Sequence, residues 1–221
     1  MSYTTETAVT QVRSILNEAT AVFWTDDELQ NWLAEGTLLF STISLCVEAD
    51  DELTLVANQL RYDSGDESFI ANVVELYGAY YNDQSNNFAG MIAAHPRMLG
   101  HLDTFTAGDP KYIMLHNHNI YIWPLTTAAI VTAGGTVQVL YSKATNDIED
   151  LPDEFQLYPI IYAEAKAKQK DRREAEASAL FSQFFSMANF ERADKHARET
   201  DSFDKFLIPT GTQQAQATRK Q

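Results

Sequence analysis

Residues 25–36 read TDDELQNWLAEG, and this stretch decides how the chain folds. The Thr25 hydroxyl can accept the amide three residues on, while the Glu28 carboxylate reaches back to the amide of Thr25, a reciprocal capping box. Asp26, Asp27 and Glu28 also suit the positive end of a helix dipole. Behind them Leu29, Trp32, Leu33, Leu39, Phe40, Ile43 and Val47 recur every three or four residues, the spacing of one buried helix face. The pattern predicts a helix from Thr25 to about Ala49. Gly36 lies inside it at a cost of roughly 1 kcal/mol relative to alanine, which points to a neighbouring helix packing close there.

Working outward, Val9, Val12, Leu16 and Ala19 predict a preceding helix over 5–19, with a break at 20–24. After Asp50 the period changes. ELTLVA (52–57) alternates apolar and polar residues as a half-buried strand does, and YDSGDES (62–68) is a turn. FIANVVELYGAYYND (69–83) is rich in β-branched and aromatic residues and predicts a strand kinked at Gly78. FAGMIAAHPRMLGHL (88–102) reads as a helix broken near Pro96. PKYIML and IYIWP flank His116-Asn117-His118-Asn119, and AAIVTAGGTVQVLYS gives two more runs around Gly134-Gly135, read as a hairpin turn.

From Leu151 the period is helical again. Pro152 suits a first turn, and Pro159 cannot sit deep in a helix, so a short turn at 152–158 should precede a main helix from Pro159 to about Glu199. A polar tail follows, carrying one apolar island of Phe203, Phe206, Leu207, Ile208 and Pro209. The expected fold class is therefore α+β, mainly α with a β insertion. Residues 1–50 and 144–200 form a helical bundle, 51–143 form a β-rich insertion with one helix, and 201–221 form a flexible docking tail.

The net charge is −15. Residues 1–163 hold 5 Lys or Arg against 22 Asp or Glu, a balance of −17, whereas residues 164–221 hold 11 against 9, a balance of +2. Such a chain does not grip phosphates, which needs clustered cations; an acidic wall would instead repel a polyanion. Cys46 is the lone cysteine, so no intrachain disulfide can form. The N-terminus has no secretory pattern and no stretch is long and apolar enough for a membrane span, so a soluble intracellular protein is expected.

His116 and His118 would share a strand face, half of a zinc site. The third and fourth ligands are missing from the sequence around them, and asparagine favours turns, so a hairpin turn is the expected reading. The clusters DDE (26–28), ADDE (49–52) and DIED (147–150) sit at helix starts or connections, where capping and solvation explain them. Phosphate-loop, dinucleotide and nucleophile-elbow motifs do not occur. No catalytic residue, cofactor site or metal site is assigned, and an enzyme is not expected. The stripe Phe181, Phe184, Phe185, Met187 and Phe190 reads first as core or a helix–helix contact.

The order of these pieces resembles the head-to-tail adaptor (connector, neck or head-completion) proteins of tailed bacteriophages. The matching stretches are Thr25-Asp26-Asp27-Glu28-Leu29 with Trp32-Leu33, Gly108-Asp109-Pro110-Lys111-Tyr112, Ile122-Trp123-Pro124, Val137-Gln138-Val139-Leu140-Tyr141 and Leu151-Pro152-Asp153-Glu154-Phe155. The resemblance implies a structural virion protein, assembled in the host cytoplasm. Copies of the chain, usually twelve, would form a ring beneath the portal protein. That ring would extend the DNA channel without sequence-specific binding and offer a surface to tail or stopper proteins. Phe203, Phe206, Leu207, Ile208 and Pro209, with Phe181 and Phe184, are the candidates for contact with the portal or an adjacent copy. A metal-dependent enzyme and a helical assembly chaperone are the alternatives.

Overall fold

The structure is a computed structural model that describes residues 2–18, 20–83, 88–95, 97 and 106–207, the last ten of these as backbone. Helix α1 (Thr5–Leu16) is capped by Thr4, and α2 (Asp26–Ser44) by Thr25. The Thr25–Glu28 box forms as the sequence implies: the Thr25 hydroxyl accepts the Glu28 amide at 3.2 Å and the Glu28 carboxylate accepts the Thr25 amide at 3.2 Å. Helix α2 stops at Ser44, short of the expected Ala49, because Leu45 turns left-handed at φ 59°.

Helices α4 (Leu157–Lys170) and α5 (Glu174–Leu207) complete the bundle. The sequence suggested one main helix from Pro159 to Glu199. The chain instead breaks at residues 171–173, where Arg172 is left-handed at φ 60°. The amides of Arg172 and Arg173 donate to the carbonyls of Gln169 and Lys168, which closes the last turn of α4. The backbone of α5 then runs past Glu199 to Leu207.

The bundle core takes Val9 and Val12 from α1, Leu29, Leu33 and Phe40 from α2, Ile160 and Ala163 from α4, and Phe184 and Ala188 from α5. The Phe40 ring stacks on Tyr158 at 4.8 Å and meets Phe184 at 5.8 Å. Gly36 explains itself here. A Cβ at this position would lie 2.9 Å from the Cβ of Tyr162, an atom fixed to the backbone of α4. The close approach aligns α2 and α4 so that Tyr162 Oη donates to Glu35 at 2.7 Å, and Lys166 and Lys170 pair with Glu35 and Glu28 at 3.0 and 2.6 Å.

Between α2 and α4 the described residues build two four-stranded sheets. The first has the order β1(Glu48–Thr54)-β8(Thr136–Lys143)-β3(Val73–Asn82)-β4(Phe88–Gly90). The second has the order β2(Arg61–Tyr62)-β7(Asn119–Trp123)-β6(Tyr112–His116)-β5(Ile92–Ala93), with β5 parallel to β6. Alternate residues Leu53, Ala79, Tyr81, Val137, Val139 and Tyr141 of the first sheet share a core with Tyr62, Ile113, Ile120 and Ile122 of the second. The register of β3 shifts near Gly78, where the sequence placed a kink.

Three expectations fail in this region. Residues 69–72, read as the start of a strand, lie in a 3-10 helix (Ser68–Asn72), and the strand begins at Val73. The helix anticipated at 88–102 is replaced, over its described part, by β4 and β5. The amides of Met91 and Ile92 donate to the carbonyls of Ala79 and Lys111, so partners distant in sequence override the local pattern. The run Ala128–Thr132 forms the short helix α3, capped by Thr127, and the anticipated strand is absent there. Gly134-Gly135 therefore joins α3 to β8 and closes no hairpin.

Candidate assembly surfaces

The described part of the connection between α1 and α2 is braced by Glu18 and Arg13 and presents apolar side chains to water. The Glu18 carboxylate accepts the amides of Val22 (2.7 Å), Phe23 and Trp24 (3.4 Å). Arg13 pairs with Glu18 at 3.7 Å, donates through Nε to Asp26 at 2.9 Å, and donates to the Trp24 carbonyl at 3.0 Å. Burial works against the Glu18 carboxylate, but the amides of Phe23, Val22 and Trp24 together with Arg13 outweigh it and hold its pKa below the ordinary value. The result leaves Val22 85% and Phe23 54% exposed, with the Lys170 ammonium 5.4 Å above the Phe23 ring. Reading the sequence missed this tip. Its only signal was the run Ala21-Val22-Phe23-Trp24 lying in a break between helices.

Helix α5 divides the aromatic stripe in two. Phe184 is fully buried and Phe181 packs edge-on against Tyr162 at 5.3 Å, so within one chain both belong to the bundle. Phe185 and Phe190 face outward, Phe190 at 63% exposure. Positions 203, 206 and 207 lie on the backbone of α5 at spacing that places them on one side of the helix. Ile208 and Pro209 lie outside the described residues.

The outer face of the first sheet carries exposed Glu48, Asp50 and Glu52 on the edge strand β1, with Tyr80 and Phe88 exposed on β3 and β4. Asp50 accepts from Gln138 at 2.7 Å. The Tyr141 hydroxyl donates to Asp51 at 2.6 Å, and burial together with that carboxylate pushes the phenol pKa well up. Carboxylates along an edge strand discourage uncontrolled pairing with another strand.

The His116–Asn119 stretch turns the β6–β7 hairpin. Asn117 and His118 have φ of 50° and 55°, the left-handed pair of a two-residue turn, and His116 pairs with Asn119 across it. The Asn119 side chain donates to the Asn117 carbonyl at 2.7 Å. Among the described residues no group of three or more His, Cys, Asp or Glu is arranged to hold a metal, and no helix is long and apolar enough to cross a membrane.

The described residues thus expose an apolar tip on a braced loop, a long helix with outward aromatics and an acidic sheet face. The family model of the SU10 adaptor proteins matches residues 3–203, and the chain belongs to that family. It is a bacteriophage structural adaptor of the virion, as the order of motifs implied. A search of curated proteins finds no match.

Proposed function

We propose that the chain is the head-to-tail adaptor of its phage. Copies form a ring, twelve in number, beneath the portal protein, extend the DNA channel and present the attachment surface for a tail or stopper protein. The observation that carries this reading is the length of α5. Its 34 residues span roughly 51 Å, against roughly 28 Å for the 19 residues of α2. The helix therefore outruns its bundle partners, and the extra length is the arm that reaches the portal. Positions 203, 206 and 207, continuing into Ile208 and Pro209, form its apolar contact, with Phe185 and Phe190 available to a neighbouring copy.

The acidic face of β1 and the −17 balance of residues 1–163 support a channel wall that repels DNA and lets it slide. Assembly around a ring multiplies a modest contact through avidity. Native mass spectrometry of purified portal rings mixed with the chain tests the reading. The expected complex carries twelve copies per portal ring. A portal that remains bare at micromolar chain concentration would overturn it.

A further inference from the structure

The β-sandwich is tied to the bundle by the two chain crossings at residues 45–47 and 144–147, and a single side chain from α5 closes on the same junction. The carbonyl of Leu45, at the negative end of α2, accepts the Ser142 hydroxyl at 3.1 Å, the Tyr77 hydroxyl at 3.2 Å and the Lys195 ammonium at 2.6 Å. Lys195 also meets the Tyr77 hydroxyl, lies 4.0 Å from the Tyr77 ring centroid and pairs with Glu48 at 3.0 Å. Its side chain is only 14% exposed. Helices α2 and α5 and strands β1, β3 and β8 thus converge on one carbonyl and one cation.

At the crossings the amides of Lys143 and Ala144 donate to the carbonyls of Val47 and Asn72, and the Thr145 amide donates to the Ser41 hydroxyl. The Ser41 hydroxyl also donates to the Thr145 carbonyl at 3.1 Å, and the Asp147 amide donates to the Thr145 hydroxyl at 3.1 Å. Open clefts flank the junction. One of about 370 Å³ is lined by Glu48, Asp50, Tyr77 and Leu140. Another of about 500 Å³ lies between Thr42 of α2 and the His116–His118 turn. Space thus lies on either side of the junction.

We infer that Lys195 is a catch that fixes the orientation of the β-sandwich on the bundle, and that the sandwich swings about the 45–47 and 144–147 crossings when the catch opens. Lys195 interrupts the buried seam of α5. Ala177, Phe181, Phe184 and Ala188 are its apolar part, and Lys195 sits two helical turns beyond, where the helix leaves the bundle. A pull on the end of α5 therefore reaches the sandwich through Lys195. Lys195 is a positioning residue, and the inference rests on packing within a single chain, so it stands or falls independently of the adaptor ring.

Hydrogen exchange of the isolated full chain tests it, comparing wild type with Lys195→Met. The loss of a charge-assisted bond is expected to speed exchange about tenfold or more at Lys143, Ala144 and Thr145 and along 191–197. Residues 29–40 of α2 and the β6–β7 hairpin should keep wild-type protection. Lys195→Arg should restore most of the protection at 143–145. Tyr77→Phe, which keeps the ring and removes one hydroxyl donor, should produce a smaller increase at the same amides. Unchanged exchange at 143–145 in both Lys195→Met and Tyr77→Phe would overturn the catch. So would an equal rise across both cores, which would make Lys195 a general packing residue.

Discussion

The bundle and the sandwich are built from one acidic chain by different means. In the bundle, small residues let helices approach and cations answer carboxylates across the contact: Gly36 against Tyr162, Lys166 against Glu35, Lys170 against Glu28, Lys168 and Arg173 against Glu176. In the sandwich, β-branched and aromatic residues interdigitate between two sheets. There Arg61 pairs with Asp63 and Lys143 with Asp150, while Glu48, Asp50 and Glu52 face outward. Of the 16 Lys and Arg, 11 lie after residue 163, and among them Lys166, Lys168, Lys170 and Arg173 brace helices. On the sandwich Glu52 is exposed, while Glu48 pairs with Lys195 and Asp50 and Asp51 accept from Gln138 and Tyr141. Net charge alone therefore says little here; the placement of the cations separates helices braced by ion pairs from a sandwich built mainly on interdigitated apolar side chains.

The comparison breaks most sharply at Phe40. Phe40→Ala removes a fully buried ring stacked on Tyr158 and should cost about 3–5 kcal/mol. Chemical denaturation followed by Trp24 and Trp32, which pack on the bundle, should show the loss. Emission from Trp123, on β7 of the sandwich, should change at higher denaturant than the bundle signal. Coincident transitions would mean that the two cores unfold as one unit.

Gly36→Ala comes next. The added methyl meets the Tyr162 Cβ, an overpacking cost of about 1–3 kcal/mol, and helix propensity returns about 1 kcal/mol. The net expectation is a loss of up to about 2 kcal/mol in thermal unfolding. A stabilised variant would show that α2 and α4 can separate freely.

Acid should act on the bundle first. Lys170 holds the Glu28 carboxyl pKa below the ordinary glutamate value of 4.5, and Arg173 does the same for Glu176. For Glu35 burial pulls upward, but the Tyr162 hydroxyl and Lys166 prevail and lower it. A carboxylate with a lowered folded pKa binds fewer protons folded than unfolded, so the unfolded chain takes up the extra protons as pH falls below 4.5. The stability these groups contribute is present above that value and is lost through their lower folded pKa values. The melting temperature read at 222 nm should therefore fall between pH 4.5 and 3, and Lys166→Met with Lys170→Met should flatten the response. A melting temperature constant to pH 3 in the parent chain would contradict the assignment of these pairs.

Much of this was legible beforehand, and the misses share a cause. Helix starts carry chemistry that sequence displays: Thr25 with Glu28 announces α2, and Gly36 announces a close neighbour. Helix ends here do not. Asn17, Leu45 and Arg172 all take left-handed conformations at the ends of α1, α2 and α4, and the last two are residues that give no stop signal. The end of α2 was therefore placed too late, and α4 and α5 were fused. Strands β4 and β5 were hidden because short apolar runs suit either period and their partners lie far along the chain. Of the candidate surfaces, the apolar tail positions were visible as composition. The Val22–Phe23 tip was not, because its exposure depends on Glu18 gathering three amides. The Lys195 junction depends on tertiary placement alone.

The smallest expected effect concerns association. With a net charge of −15, the isolated chain should be a monomer or small oligomer at low salt. Raising the ionic strength to ~0.15 M, where screening acts over about 8 Å, should favour larger species in light scattering. A stable ring at low salt without portal would show that lateral contacts suffice.

The claim that the bundle and the sandwich hold themselves together without the end of α5, which serves a partner, is tested most directly by ending the chain after Thr200. Thermal unfolding and portal binding should be measured on the same sample. The account predicts a melting temperature equal to that of the full chain and loss of portal binding. A truncated chain that melts several degrees lower, or one that still binds portal as the full chain does, would contradict it.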